Sequence, residues 1–226
     1  MLGYTDREVL RYLGYGKNEG DAPTLEKIAL CREIIAEKAS SHAIYRQFPI
    51  DWVEGTPWVA PAVFALEGQS IGNLLKGSSS LFLFAATIGI QVDRAIQYYM
   101  KEDLALGVIL DACATAAIES YCDVVNAQLK EELAAKGLTC TPRFSPGYGD
   151  LPITLQGPLT ALLQTPAKIG LTVTPTSILI PRKSVTAILG VVPQGTKLPE
   201  VGCFSCNKFA TCQFRKVGEN CGAFTK

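Results

Sequence analysis

Apolar positions along the chain alternate between helical spacing and short continuous runs, so both helices and strands are predicted. Residues 5–13 open as a helix. Thr5 can cap it with Glu8 three residues on, ahead of Val9, Leu10 and Leu13, and Gly14, Gly16 and Gly20 then break it. A second helix fits 24–38, where Leu25, Ile28, Ala29, Ile34 and Ile35 recur on one face. Residues 43–48 read as a strand stopped by Pro49, and 59–66 as another. A short helix fits 71–76 before Gly77. The uninterrupted apolar run 81–90 reads as a buried strand, and polar residues 91–94 lead into a helix through Tyr99. Residues 103–136 give the strongest helical signal: long, rich in Ala and Leu, free of proline and stopped by Gly137. A loop dense in Pro and Gly spans 141–152, a short helix fits 159–163, and strands fit 170–180 and 184–192 on either side of Pro181-Arg182-Lys183. Helices and strands mix without a regular βαβ beat. The expected class is α+β, a mixed, mainly antiparallel twisted sheet packed with helices, one of them long and buried. The composition changes after Gly195, which divides the chain into a domain over 1–195 and a Cys-rich tail over 196–226.

Composition narrows the function classes. The chain has 226 residues, enough for one sizeable core, and its 21 basic and 21 acidic side chains leave no net charge. With no basic tract, phosphate-driven nucleic-acid binding is not expected. The uncharged stretch 77–92 falls short of the roughly 20 residues of a membrane span. The first residues lack the pattern of a secretory leader, so a cytoplasmic protein is expected. Among eight cysteines, Cys31, Cys113, Cys122 and Cys140 are scattered singly and read as small core residues, whereas Cys203, Cys206, Cys212 and Cys221 crowd into the tail. The single histidine, His42, has no partner for a histidine-rich metal centre, and nothing marks it for a catalytic triad.

Two places could carry chemistry. In the long apolar helix, Asp111, Thr115 and Glu119 follow at intervals of four and share one drifting face. Glu119 there either meets a cationic ligand group or orders a binding arginine; equally, the stripe is the helix's solvent edge or an internal salt bridge. The second place is the loop Arg143-Phe144-Ser145-Pro146-Gly147-Tyr148-Gly149-Asp150. Pro146-Gly147 is the central pair of a type II turn. Arg143 can clamp a carboxylate through two parallel hydrogen bonds, and Tyr148 can lie against a flat heterocycle. Such a set suits a small zwitterion carrying an aromatic base; it also suits a tight structural turn with a surface salt bridge.

That loop strongly resembles the S-adenosylmethionine-binding loop in the activation (reactivation) domain of cobalamin-dependent methionine synthase, where an arginine and two intervening residues precede Pro-Gly-Tyr-Pro. The helix Asp111-Ala-Cys-Ala-Thr-Ala-Ala-Ile-Glu119 is similar to the family's helix, with Asp and Glu eight residues apart. Residues 169–174, Pro181 and Ser184-Val185 look like the strand pair after the loop. The resemblance runs from about residue 40 to 192. It implies that Arg143 holds the methionyl carboxylate, that Ser145, Gly147 and Tyr148 border the ligand largely through backbone groups, and that Glu119 engages its polar end. Gly149 departs from the family's proline, and Ser145 from its frequent alanine. Asp6 is a candidate for the family's early aspartate, but its place in the capped first turn accounts for it.

The resemblance also implies a role. In the family, inactive cob(II)alamin takes one electron from a donor, and the reduced cobalt accepts the methyl group of S-adenosylmethionine. His42 lies in Ser-Ser-His-Ala-Ile-Tyr rather than in the corrinoid module's Asp-x-His-x-x-Gly. The expectation is therefore a stand-alone activation domain that serves a separate corrinoid-bearing methionine synthase subunit or methyltransferase and an electron donor. In the tail, Cys203, Cys206, Cys212 and Cys221 could give four thiolates to one zinc ion or to an iron–sulfur cluster. Two alternatives stand beside this reading: reactivation of another corrinoid methyltransferase with the tail as electron relay, and a non-catalytic metal-binding interaction protein.

Overall fold

The computed structural model describes residues 3–61 and 63–198. A six-stranded sheet runs in the order β3-β2-β1-β4-β8-β5, with every pairing antiparallel. Its strands are β1 (His42–Val53), β2 (Thr56–Val59), β3 (Phe64–Ala65), β4 (Ser80–Thr87), β5 (Leu138–Cys140) and β8 (Ser184–Pro193); β6 (Thr172–Val173) and β7 (Leu179–Ile180) form a separate hairpin. The α+β expectation is met, as is the mainly antiparallel sheet.

β4 explains the architecture. It lies between β1 and β8 with His42 opposite Thr87 on one side and Thr87 opposite Ser184 on the other. Seven of its eight residues are buried, which is why the run reads as uninterrupted rather than alternating. Phe82, Phe84 and Ala86 enter one core, while Leu81, Leu83 and Ala85 enter a second on the opposite face. Both faces must therefore be covered. The first core is closed by α1 (Asp6–Tyr12), α2 (Ala22–Lys38), α4 (Ile90–Glu102) and α5 (Leu104–Ala134); the second by α3 (Gln69–Leu75) and α6 (Gln156–Leu163) with neighbouring loops.

The helix signals act as the sequence indicates. At α1 the Glu8 N–H donates to the Thr5 hydroxyl at 3.2 Å and the Thr5 N–H to the Glu8 carboxylate at 2.7 Å, a complete capping box. Asp103 serves two helices: its N–H closes α4 on the Tyr99 carbonyl at 2.9 Å, and its carboxylate caps α5 through the Leu106 N–H at 3.0 Å. α5 is long and apolar enough to cross a membrane by length and composition alone. It is instead the core helix of this fold, with Leu110, Cys113, Ala114, Ala117 and Cys122 fully enclosed. All four scattered cysteines, Cys31, Cys113, Cys122 and Cys140, are buried free thiols, as expected.

Several boundaries differ from expectation for identifiable reasons. Pro49 does not stop β1, because it marks the place where β1 exchanges partners. It stands opposite Ser80 at the end of the β4 ladder, and Ile50 begins the β2 ladder opposite Val59. A missing N–H costs little there. The segment 59–66 is not one strand: the Val63 N–H turns back to the Val59 carbonyl at 2.9 Å, separating β2 from β3. Likewise 170–180 is a hairpin, folded at Thr174-Pro175-Thr176-Ser177 by Ser177 N–H on the Thr174 carbonyl at 2.9 Å. The short β5 and α7 (Thr165–Ile169) carry too few residues to show a period.

Gly107 lets α4 and α5 cross closely, since a Cβ there would sit 2.6 Å from the Met100 backbone nitrogen. Gly107→Ala therefore sets helix propensity, which favours alanine by about 1 kcal/mol, against a backbone clash. Urea unfolding should show net destabilisation of roughly 1–3 kcal/mol, the range for overpacking; a stabilised variant would show that the crossing is loose.

Candidate functional site

The helical stripe and the Pro-Gly loop meet. Arg143 Nη2 donates to Glu119 Oε2 at 3.1 Å and to Asp123 Oδ1 at 3.0 Å, so one guanidinium nitrogen bridges two consecutive turns of α5. Glu119 therefore meets an arginine of this chain, a contact common to the arginine-ordering role and to the internal salt bridge, and the stripe is a salt-bridge row. The row continues below. Lys183, just before β8, donates to the Thr115 hydroxyl at 2.8 Å and pairs with Asp111 at 2.9 Å. Asp123 and Lys183 escape the sequence reading. Asp123 carries a usable signal, the next step of four after Glu119; Lys183 carries none, because its approach depends on tertiary structure.

Arg143 is held tightly and incompletely. Its side chain is 17% exposed, and its Nη1 is buried with no hydrogen-bond partner. An unpaired buried donor is costly, about 1–3 kcal/mol and more when charged. Beneath it, burial pushes the Cys122 thiol up to about 12, with Arg143 opposing and Glu119 and Asp123 assisting. Cys122 is thus a neutral thiol at pH 7 and no nucleophile.

After Arg143, the Phe144 N–H and carbonyl both pair with Ile188, which fastens the loop to the middle of β8. The expected type II turn follows. Tyr148 N–H donates to the Ser145 carbonyl at 3.1 Å, with Gly147 at φ +91° in the third position, where an L side chain is disfavoured. A second turn, Leu151 N–H to the Tyr148 carbonyl at 3.0 Å, holds Gly149 at φ +56°, and Gly147 N–H closes the pair on the Leu151 carbonyl at 2.9 Å. Much of the turn's backbone is therefore spent inside the loop. The room left by absent side chains is also used by the chain: a Cβ on Gly149 would sit 3.0 Å from the Ser70 hydroxyl, and one on Gly147 would sit 3.4 Å from Ile153.

Asp150 anchors the far end. It accepts from the Gln69 N–H at 2.6 Å and the Ser70 N–H at 3.1 Å, capping α3, whose own N-cap, Gly68, has no side chain. Tyr148, 59% exposed, stays on the surface of the loop. It belongs to the same neighbourhood as the end of α1. Burial raises the Tyr12 hydroxyl's pKa; Arg11, stacked on its ring at 4.7 Å, opposes this, and Glu119, Tyr148 and Glu8 add to it. Asp6 faces elsewhere, paired with Arg32 at 2.6 Å.

Glu119 and Arg143 are thus joined directly, and Ser145, Gly147 and Tyr148 follow on a rigid double turn. Cys203, Cys206, Cys212 and Cys221 lie outside the described residues. Among the described residues no cluster of three or more metal-ligating side chains occurs. A surface cleft of about 420 Å³ between α2 and α4, lined by Glu37, Lys38, Arg94, Tyr98 and Tyr99, does not include the loop.

These features define an α+β domain with a carboxylate-clamped arginine beside a rigid Pro-Gly-Tyr loop. No family model matches the sequence, and no curated protein matches it. Among solved structures the chain is similar to a crystal structure of the MetH reactivation domain bound to AdoHcy, with a TM-score of 0.62 over 94% of this chain and 82% of that one. Identity is 12%, so the likeness establishes the fold alone.

The cap makes a pH prediction. Burial pushes the Asp150 carboxyl up, but bonds from the Ser70 hydroxyl and the Ser70 and Gln69 N–H groups outweigh it and hold the pKa below the ordinary value. Stability from this group is present above the unfolded carboxylate pKa of about 3.9 and is lost as pH falls through the lower folded value. Asp150→Asn should cost on the order of 1 kcal/mol at pH 7 and much less at pH 2–3. Equal losses at both pH values would remove the carboxylate cap from the account.

Proposed function

We propose that this protein binds S-adenosylmethionine at the Arg143 loop and supports reductive methylation of the cobalamin of a cobalamin-dependent methionine synthase. The observation that carries the reading is Arg143 itself, oriented by Glu119 and Asp123 through Nη2 while Nη1 is buried without an acceptor. The AdoHcy bound by the structural neighbour supports the choice of ligand class. The methionyl carboxylate satisfies Nη1, and the α-ammonium lies toward the Glu119 carboxylate. Because Nη1 is shielded from water before binding, a loop side chain gives way as the carboxylate enters. Ser145, Gly147 and Tyr148 border the ligand, with the Tyr148 ring against the adenine. Bound there, S-adenosylmethionine supplies an electrophilic methyl group to a reduced corrinoid on a partner, the electron coming from a separate donor.

The chain's contribution is position rather than acid–base chemistry. Two turns of α5 fix the guanidinium, and the β8 pairing of Phe144 and the α3 cap of Asp150 fix the loop on either side. The partner is a corrinoid-bearing methyltransferase or methionine synthase subunit. The boundary between the 1–195 domain and the 196–226 tail, and one zinc ion or iron–sulfur cluster on Cys203, Cys206, Cys212 and Cys221, belong to the same proposal. Anaerobic purification with metal analysis and a visible spectrum tests the tail: neither zinc nor iron in the protein would remove that part.

Calorimetric titration with S-adenosylmethionine should show binding by the wild type and a loss of roughly 10- to 100-fold in Arg143→Ala, the worth of a hydrogen bond to a charged group. An unchanged affinity would take Arg143 out of the site. Mixing the protein with a corrinoid methyltransferase, a reductant and methyl-labelled S-adenosylmethionine should transfer label to the corrinoid; without transfer to any such partner the reactivation role fails.

A further inference from the structure

Where α2 packs on α5, two cysteines come together. Cys31, in the middle of α2, reaches the Leu106 carbonyl of α5 at 3.9 Å. Cys113 stands two turns further along the same face of α5, and a helical side chain there leans back toward the N-terminus, hence toward Cys31. The two thiols are hydrogen-bonded to each other, and both are fully enclosed. Helices packed about 8–10 Å apart hold facing Cα atoms within the span of a disulfide. The two thiols are not equivalent. The Cys113 thiol donates to Cys31 and holds it below the ordinary thiol range; burial opposes this, Lys27 one turn earlier on α2 helps, and Asp103 opposes. For Cys113 the same bond and then burial push the other way, with Arg32 opposing and Asp6 assisting. Cys31 is thus the better nucleophile and Cys113 the partner that keeps its proton.

The segment before α1 closes over the pair. Tyr4 lies against both cysteines, and burial, with Cys113 beside it, raises the pKa of its hydroxyl. This strap is held from the side by polar contacts: the Ser120 hydroxyl donates to the Gly3 carbonyl at 3.1 Å, Arg32 Nη2 donates to the Tyr4 carbonyl at 3.2 Å, and Arg32 pairs with Asp6 at 2.6 Å. Such contacts open locally far more easily than the core beneath them. We propose that Cys31 and Cys113 are a redox pair: when the Tyr4 strap lifts, a peroxide converts them to a disulfide that ties α2 to α5. The Cys31 thiolate attacks one peroxide oxygen, the O–O bond breaks, and Cys31 becomes a sulfenic acid while the other oxygen takes a proton and leaves as water. The Cys113 sulfur then attacks the Cys31 sulfur, the S–O bond breaks, and the Cys113 proton leaves with the hydroxide as a second water. The two thiols lose two electrons and the peroxide gains them. The new bond closes a long loop, 31–113, which stabilises the oxidised chain, and it fixes against α2 the helix that carries Glu119 and Asp123. None of this depends on the ligand of the Arg143 loop.

Disulfide mapping tests this on the full chain, treated with hydrogen peroxide, quenched with an alkylating agent in denaturant, digested and read by mass spectrometry. A peptide linking Cys31 to Cys113 should appear and should vanish on reduction with dithiothreitol. Cys122 and Cys140, also buried, should be recovered alkylated from the same sample. Oxidation should raise the melting temperature by on the order of 10 °C, reversibly on reduction. Cys113→Ala should show neither the linked peptide nor that rise; the wild-type map decides the point if this variant does not fold. Ser120→Ala releases the Gly3 carbonyl and leaves both thiols and their charged neighbours in place, so it should speed disulfide formation about 5-fold, the worth of one hydrogen bond. Recovery of Cys31 and Cys113 as free thiols from the peroxide-treated wild type, or their pairing with other cysteines instead, overturns the proposal. An unchanged rate in Ser120→Ala overturns the part given to the strap.

Discussion

The two-sided burial of β4 is the constraint from which the rest follows. A strand apolar on both faces cannot sit at the surface of a sheet, so helices must cover it above and below. α5 supplies most of the first cover, and its apolar circumference is consumed by α1, α2, α4 and the sheet. Between Leu110 and Asp123 what remains polar along its edge is one row, Asp111, Thr115, Glu119 and Asp123. Burying most of a helix while leaving carboxylates along one edge obliges the fold to bring cations to that edge, because an unpaired charge near a low-dielectric core is costly. Both cations come from the chain on the far side of the helix, Lys183 from the turn before β8 and Arg143 from the loop that pairs with its middle. The site is thus a consequence of how the central sheet is closed.

As a stabilising device the Arg143 cluster is poor. Removing a guanidinium from water costs about as much as its ion pairs return, and apolar side chains of similar volume commonly do as well or better. The orphaned Nη1 adds a further penalty. By contrast, the Asp150 cap and the Phe144–Ile188 pairing satisfy groups that would otherwise be unpaired. Among the described residues Tyr4, Arg11 and Ser78 also carry a buried polar side-chain atom without a hydrogen-bond partner. Arg143 differs from these in being gripped by two carboxylates through Nη2 while Nη1 stays unpaired.

Much of the architecture was legible in the chain because its signals are local. The Thr5–Glu8 box, the Gly137 stop and the apolar 81–90 run each depend on residues within a few positions; the box and the stop formed as read, while the strand of the run ends at Thr87 and Ile90 already opens α4. Pro49 misled because a proline's cost depends on whether its N–H is needed, and that was settled by a change of partner strand remote in sequence. At the site, the Pro146-Gly147 turn was legible for the same local reason. Asp123 could have been found by extending the interval of four by one step. Lys183 and the capping role of Asp150 could not, since each acts on a segment more than 60 residues away.

The geometry also separates rigidity from occupancy. A binding loop that must be both fixed and receptive needs its anchors outside the ligand-facing groups. Here the anchors are Phe144 against β8, Asp150 on α3 and Arg143 Nη2 on α5, three directions that leave the turn little freedom. Arg143 Nη1 is buried without a hydrogen-bond partner, and the Tyr148 ring is largely exposed. One is a cation's unspent donor and the other a flat apolar surface with a polar tip, and in the function proposed above they meet the charged and the aromatic ends of the ligand. In that function the scaffold has already met most of the ordering cost, and the side chain that gives way to the carboxylate is the main part left to reorder on binding.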